Sequence, residues 1–260
     1  MRRFGQTQRS RIMAVLFHKE QSGHIYEVRG AGKTRRLYTD GVFHSQYNPD
    51  HVVTGSVWDL LFLPGLFFAP EKPLRVLVLG VGGGAAIHLL NRFCAPASIV
   101  GVELSKIHLQ VARKYFDLRY PNLQLVQANA IEWLIEYDGE PFDLIIDDLY
   151  GEELGEPCRA VTADASWFDI LLDHLAEDGI AVLNFVNNRE WRDSGYFYAD
   201  FVREAFPAVF RFTTPTCHNA VVALSRGEIE LKDWRRRLRE FPQLDTRRPQ
   251  CRLRFRINRI

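Results

Sequence analysis

Paired cysteines are missing from this chain. Its four, Cys94, Cys158, Cys217 and Cys251, stand far apart, so neither a zinc knuckle nor a redox dithiol can be read, and a disulfide framework is not expected in 260 residues. Long apolar runs are missing too. The most apolar stretch, 57–69, is interrupted by Asp59 and Pro64 and is too short to cross a bilayer. The start carries Arg2, Arg3, Arg9 and Arg11 but no apolar core or small-residue cleavage site, so no secretory signal is read. A reducing cytoplasm is the expected location, with no membrane partner. His18, His24, His51, His88, His108, His174 and His218 show no metal-ligand spacing, and no metal is assigned. No serine lies in a G-x-S-x-G elbow, which removes the serine-hydrolase reading. Internal repeats are absent as well.

Excess charge is also lacking: the formal net charge is +1, which by itself speaks neither for nor against nucleic acid. Its distribution is less even. Acids dominate from Asp138 to Asp178, where Arg159 is the only basic side chain, and arginines dominate from Lys232 to the end. With 47% hydrophobic and 25% charged residues the chain is ordinary for a globular protein, so disorder is not the default. The length suits one large domain with an embellishment, or two small ones.

Before residue 70 the pattern alternates at strand period. His24 to Arg29 reads as a strand, Gly30-Ala31-Gly32 as a turn and Arg35 to Thr39 as the returning strand of a hairpin. Asp40-Gly41 is a second turn signal before Val42-Phe43, and 54–68 reads as a largely buried helix. From Leu74 onward strands (74–79, 98–103, 123–127, 142–147, 180–186) alternate with helices (84–93, 105–116, 129–136, 165–175). That alternation predicts a parallel sheet covered on both faces. A helix over 196–205 and two strand-like runs, 208–213 and 219–225, follow. The expected division is 1–70, a β-hairpin extension with its linking helix; 71–226, a nucleotide-binding domain; and 227–260, a basic appendage. In the appendage 231–241 reads as a helix. Residues 252–257 alternate arginine with apolar residues, as an aggregation-resistant edge strand or a phosphate-binding stripe would.

The chemistry concentrates at residues 76–103. An apolar strand ends in Gly80-Val81-Gly82-Gly83-Gly84, a helix follows, and the next strand ends in Glu103. Bare backbone at such a turn lets a ligand approach closely, and a carboxylate at the second strand tip can accept hydrogen bonds from a ribose diol. Gly80, Gly82 and Ala85 also satisfy G-x-G-x-x-A, so this motif alone does not separate a nicotinamide dinucleotide from S-adenosylmethionine. Two later segments help. Leu125 to Ala130 ends a strand in residues suited to an adenine edge, and Phe142 to Asp148 is a buried strand ending in two carboxylates where a parallel sheet opens its ligand crevice.

Taken in order, the N-terminal hairpins through Asp40-Gly41, Leu79 to Gly84, Val102-Glu103-Leu104, Asn129-Ala130, Phe142 to Asp147 and Leu175 to Ile180 resemble the spermidine synthase-like branch of the class I S-adenosylmethionine-dependent transferases. The resemblance covers about Ile25 to Ser225. It implies an α/β fold: a Rossmann-like, mostly parallel sheet with a terminal antiparallel hairpin, and a small β-rich N-terminal extension roofing the cofactor. It implies that Glu103 holds the ribose, that Asn129 meets the adenine region, that Gly80, Gly82, Gly83 and Gly84 face the amino-acid end, and that Leu104, Ala130 and Asp147 are further cofactor contacts. Relatives often form dimers.

Aminopropyltransferases of this branch carry an acid inside the glycine loop, where this chain has Gly83, and a D-x-x-D-P motif. Counted from Asp147, Tyr150-Gly151 stand where its second acid and proline belong. Methyl transfer from S-adenosylmethionine is therefore favoured over aminopropyl transfer from decarboxylated S-adenosylmethionine to putrescine. A catalytically silent cofactor- or nucleic-acid-binding protein is a further alternative. The acceptor is expected to be a small molecule or protein side chain, cationic in solution and drawn by Glu152, Glu153 and Glu156 of a long loop over 151–162. Asp147, then Asp148, are the expected proton acceptors, with Tyr150 packing or hydrogen-bonding beside them. For Asp147 the competing reading is a structural carboxylate; for Asp148 and Tyr150 it is plain surface exposure. His44, Gln46 and Tyr47 follow the hairpins, and Gln46 is an expected cofactor contact. Trp167-Phe168 is expected in the core.

Overall fold

The computed structural model describes residues 13–153 and 155–260; Arg2, Arg3, Arg9 and Arg11 lie outside them. The chain opens with an antiparallel meander, β1 (Ala14–Gln21), β2 (His24–Ala31), β3 (Thr34–Thr39) and β4 (Val42–Tyr47). β1 has no counterpart in the sequence reading. Its burial alternates poorly because most of it is exposed, and period-2 signals need one buried face.

The expected helix over 54–68 is a short one, α1 (Val57–Phe62), followed by a 3-10 segment (Leu63–Phe67) entered at Pro64. Proline inside the run removes an amide donor and ends regular α-geometry. Next come β5 (Arg75–Leu79), α2 (Ala85–Phe93), β6 (Ser98–Glu103), α3 (Lys106–Tyr115), β7 (Leu123–Gln127), α4 (Ala130–Glu136) and β8 (Phe142–Asp147). After β8 the expected long loop is instead a two-stranded hairpin, β9 (Tyr150–Glu153) with β10 (Glu156–Arg159), turning through Gly155 at a φ of 83°. Then follow α5 (Ala165–Asp173), β11 (Leu175–Phe185), α6 (Asn188–Arg192), α7 (Asp200–Ala205), β12 (Ala208–Thr213), β13 (Ala220–Ser225), α8 (Leu231–Glu240) and β14 (Arg256–Arg259).

The main sheet has the order β14-β12-β13-β11-β8-β5-β6-β7. β11, β8, β5, β6 and β7 run parallel, and β13, inserted between β11 and β12, turns the far end antiparallel. β5 shows why the layers form: Val76 and Val78 pack into one cluster with α1, α2 and α8, while Leu77 and Leu79 pack into the other with α4 and α5. Both faces are covered, so the strand is an unbroken apolar run.

The arginine–apolar alternation over 252–257 is only partly a strand. β14 begins at Arg256 and pairs with β12 at the sheet edge, which is the edge-strand reading. The appendage expected over 227–260 is corrected. Trp234, Leu238, Leu244, Cys251 and Leu253 are buried in the same cluster as β5 and α2, and Trp234 Nε1 donates to Leu63 O at 3.0 Å. A third cluster (Val28, Leu37, Ile107, Val111, Phe116) seats the N-terminal sheet on α3.

Candidate functional site

A cavity of about 430 Å³ opens where the parallel strands end, and every element beside it is held there by a local cause. The Gly80–Gly84 turn comes first. Gly80, Gly82 and Gly84 have φ of 84°, 52° and 83°, a region that side chains disfavour. Gly80 and Gly82 line the cavity. A β-carbon on Gly80 would lie 2.3 Å from Asp148 O, and one on Gly82 would lie 3.2 Å from His44 O. Gly83 and Gly84 do not line it: β-carbons there would meet the Phe116 ring and Ser45 Oγ, or Leu118. The assignment of Gly83 and Gly84 to the ligand is therefore corrected. They are small so that β4 and the segment after α3 can pack on the turn.

Glu103 ends β6 and holds this turn. Its Oε2 accepts from Val81 N (3.1 Å) and Gly82 N (2.9 Å), and its Oε1 accepts from Ser105 N (2.9 Å). His108 Nδ1 lies 3.5 Å away, and His108 Nε2 is 2.8 Å from Thr39 Oγ1 in β3. Burial pushes the Glu103 carboxyl upward, but His108 and the amides of Ser105 and Gly82 outweigh it and hold the group at about 2. An ionised acceptor thus faces the cavity at neutral pH. His108, given no role from sequence, is the residue that reasoning missed; only its position five residues after Glu103, on the first turn of α3, could have flagged it.

Beyond β6 and β7 the wall is Leu104, Asn129, Ala130 and Ile131. Leu104 is 69% exposed and offers an apolar side chain that a planar ligand would cover. Asn129 caps α4, its Oδ1 accepting from Ile131 N (2.9 Å) and Glu132 N (3.4 Å), so its amide nitrogen is the group left for a base edge.

On the other side of β5 the two carboxylates at the tip of β8 part company. Asp147 is fully buried and does not line the cavity. Its Oδ2 accepts from Arg159 Nη2 (2.6 Å) and Trp167 Nε1 (2.8 Å), its Oδ1 from Leu149 N (3.3 Å). Asp147 as proton acceptor and cofactor contact is corrected, because every oxygen is committed to the interior. The side chain alternates with Asp148 about the strand axis, and only one of two neighbours can face the crevice. Asp148 faces it. Burial, with the Asp147 charge beside it, raises the Asp148 carboxyl to about 6 against the opposing hydrogen bond from Asn184. Tyr150 also lines the cavity, its hydroxyl donating to Asn184 O (3.2 Å).

Counted from Asp148 rather than Asp147, D-x-x-D would place its second acid at Gly151, where a β-carbon would meet nothing within 4 Å. Gln46 is corrected too: it does not line the cavity, and its Oε1 accepts from Arg36 Nε at 2.7 Å. Its β4 neighbour His44 does line it, packed 5.2 Å from the His108 ring and pushed down to about 4 by burial and by His108. The remaining wall includes Phe43, Ser56, Trp58, Asn184, Thr216, Cys217 and Asn219, from β4, the start of α1, β11 and the β12–β13 connection. Sequence spacing could not join these, because the four segments are far apart in the chain and meet only around the folded cavity. Trp167 and Phe168 are in the core as expected. Among the described residues no cluster of histidine, cysteine or acid side chains could hold a metal, and no helix is long and apolar enough to cross a membrane.

A glycine turn between parallel strands, an ionised acid on the second strand and a capped third connection, under a small antiparallel sheet, define a spermidine synthase-like class I S-adenosylmethionine-dependent fold. The chain belongs to the family described as "Methyltransferase domain", which matches residues 70–235. It is similar to polyamine aminopropyltransferase 2 of Caldanaerobacter subterraneus, 25% identical over 72% of this chain and 62% of that protein. It is similar also to the eEF1A lysine and N-terminal methyltransferase of Danio rerio, 28% identical over 54% of this chain and 21% of that protein. The chain thus spans less than two thirds of the length of these curated relatives. The crystal structure of human methyltransferase-like protein 13 in complex with SAH superposes with a TM-score of 0.60 at 18% identity, covering 74% of this chain and 93% of that one.

Proposed function

We propose that this transferase moves the methyl group of S-adenosylmethionine to an amine-bearing acceptor, with Asp148 receiving the proton the amine releases. The observation that carries this reading is the pair of positions an aminopropyl-transferring site would need. Gly83 is walled in by Phe116 and Ser45, so the loop acid of such a site has no room, and Gly151 supplies no second carboxylate. The residues fit an adenosyl sulfonium: Gly80 and Gly82 leave the close approach a side chain would fill, Glu103 offers an ionised acceptor for a diol, and Leu104 and Ile131 offer apolar faces for a base. Bound there, the sulfonium supplies an activated methyl carbon.

The protein's own residues do the rest. Trp58, Phe43 and Leu149 keep water from the acceptor, and a nucleophile held in line needs little further activation. A cation near Asp148 favours its ionised form, which readies it to accept a proton. Glu152 and Glu156 stand exposed on the hairpin beside the cavity and favour the approach of a cationic acceptor. Titration calorimetry with both sulfonium compounds tests the reading: S-adenosylmethionine should bind at least tenfold more tightly than its decarboxylated form, and the reverse preference overturns it.

The second reading, aminopropyl transfer, is favoured by the name of the first relative above. Incubation with decarboxylated S-adenosylmethionine and putrescine would then yield spermidine, detectable by mass.

A further inference from the structure

Behind Asp148 lies a chain of amides that the reaction described above does not use. Asn184, near the end of β11, is only 2% exposed. Its Nδ2 donates to Asp148 Oδ1 at 2.7 Å, and its Oδ1 accepts from Asn219 Nδ2 at 3.0 Å. The Asn184 backbone oxygen accepts from Arg159 Nη1 (2.8 Å) and from the Tyr150 hydroxyl (3.2 Å). Asn219 donates in addition to the Tyr150 oxygen at 3.2 Å. The bonds therefore run one way, from Asn219 to Asn184 to Asp148.

A primary amide has one end that donates and one that accepts, and its two orientations are nearly the same in shape. What distinguishes them here is Asn219. With Asn219 donating, the oxygen of Asn184 is taken and its nitrogen must face Asp148. Without Asn219, Asn184 is free to turn its oxygen toward the acid whenever that acid is protonated, which favours the protonated form.

Resting on the methyl-transfer reading for its functional meaning, the geometry points to Asn184 and Asn219 as positioning residues: Asn219 fixes the direction of the Asn184 amide, and Asn184 holds Asp148 turned toward the acceptor as a carboxylate rather than a carboxylic acid. The other charges facing Asp148 are Asp147 and Glu103, which oppose its ionisation, and Arg159, which favours it; Tyr150 faces it as a neutral hydroxyl. Burial and the two acids oppose the ionised form, and the Asn184 amide, with Arg159, works against them. A net hydrogen bond to a charged group of about 1.5 kcal/mol corresponds to roughly one pH unit in the titration of that group.

The test is carbon-13 titration of the aspartate carboxyls, with the Asp148 signal identified by its loss in Asp148→Asn. In Asn184→Leu and in Asn219→Leu the Asp148 midpoint should move up by about one pH unit. The acid limb of kcat should move with it, so that activity lost near neutral pH returns in alkali, while KM for S-adenosylmethionine stays within twofold. Asn219 is the more exposed of the two, so its variant keeps the test open should Asn184→Leu not fold. A folded Asn219→Leu protein whose Asp148 midpoint does not move would overturn the proposal, whatever its stability. Because the titration needs no turnover, failure of methyl transfer with the wild-type protein would be seen separately and would leave this result readable.

Discussion

A β-carbon at position 83 would lie 2.8 Å from the Phe116 ring and from Ser45 Oγ, whereas one at position 151 would meet nothing within 4 Å. These two glycines therefore predict opposite outcomes for the same substitution. Gly83→Asp should lose about 1–3 kcal/mol of stability through overpacking, read as a lowered urea midpoint. Gly151→Asp should stay within about 0.5 kcal/mol of wild type and should raise the affinity for a diamine, read by calorimetry. Equal losses in both would show that room at position 83 is not what excludes the loop acid. Glu103 supports a third residue-scale expectation. Its three amide bonds tie ligand binding to the turn, so Glu103→Gln, which turns an ionised acceptor into a neutral amide, should weaken S-adenosylmethionine binding at least tenfold. Unchanged affinity in a folded variant would remove the ribose role.

At the scale of elements, the β9–β10 hairpin is tethered by the one basic residue of an acidic segment. Arg159 leaves β10 to pair with Asp147 at 2.6 Å, with both side chains nearly free of solvent. Breaking such a pair leaves an uncompensated buried charge, which costs about 3–5 kcal/mol. Arg159→Met should lose that much in urea unfolding, and adding Asp147→Leu should restore most of it; a single-variant loss below about 1 kcal/mol would refute the tether. The start of α1 is anchored comparably, by Asp59, whose carboxylate accepts from Thr54 N and Gly55 N while Thr216 Oγ1 donates to Gly55 O at 2.7 Å. That bond joins the Ser56–Trp58 wall of the cavity to the β12–β13 connection, two segments 161 positions apart in sequence.

Across the whole molecule, opposing buried groups shape the dependence of stability on pH. His44 and His88 are lowered from 6.5 to about 4, chiefly by burial, so stability they contribute above 6.5 is lost as pH falls toward 4. Asp59 and Asp148 are raised from 3.8 to about 6, chiefly by burial, so their effect has the other sign and stability is gained as pH falls through 6. The two pairs nearly cancel between about pH 6 and 4.5. Glu103, lowered from 4.5 to about 2, then removes roughly 3 kcal/mol as pH falls below 4.5. Urea unfolding over a pH series should show a plateau followed by a steep acid fall, and a steady decline beginning at pH 6.5 would contradict it. A chain ending at Arg226 would uncover Leu63, Phe67 and Phe212, which pack against Trp234, and should show no cooperative thermal transition.

Residues 74–147 were legible because their apolar runs and glycine turn report on burial at both faces, a property written locally in the chain. Gly80, Gly82, Glu103, Leu104, Asn129 and Ala130 lie at the cavity for the same reason: each ends or follows a strand, and strand tips can be counted from sequence. The choice between Asp147 and Asp148 could not be counted, because a one-residue shift in the end of β8 exchanges which side chain faces out. Asn184 and Asn219 were silent in the sequence, and Arg159 stood out only as a lone cation, because their bonds cross between segments that only folding makes adjacent. By itself, then, the sequence determined the alternating α/β order and the half of the cavity proposed for the nucleoside, which local strand and turn chemistry builds. The tertiary structure alone decided the half around Asp148, because buried charge there is balanced by partners that only folding brings within hydrogen-bond reach.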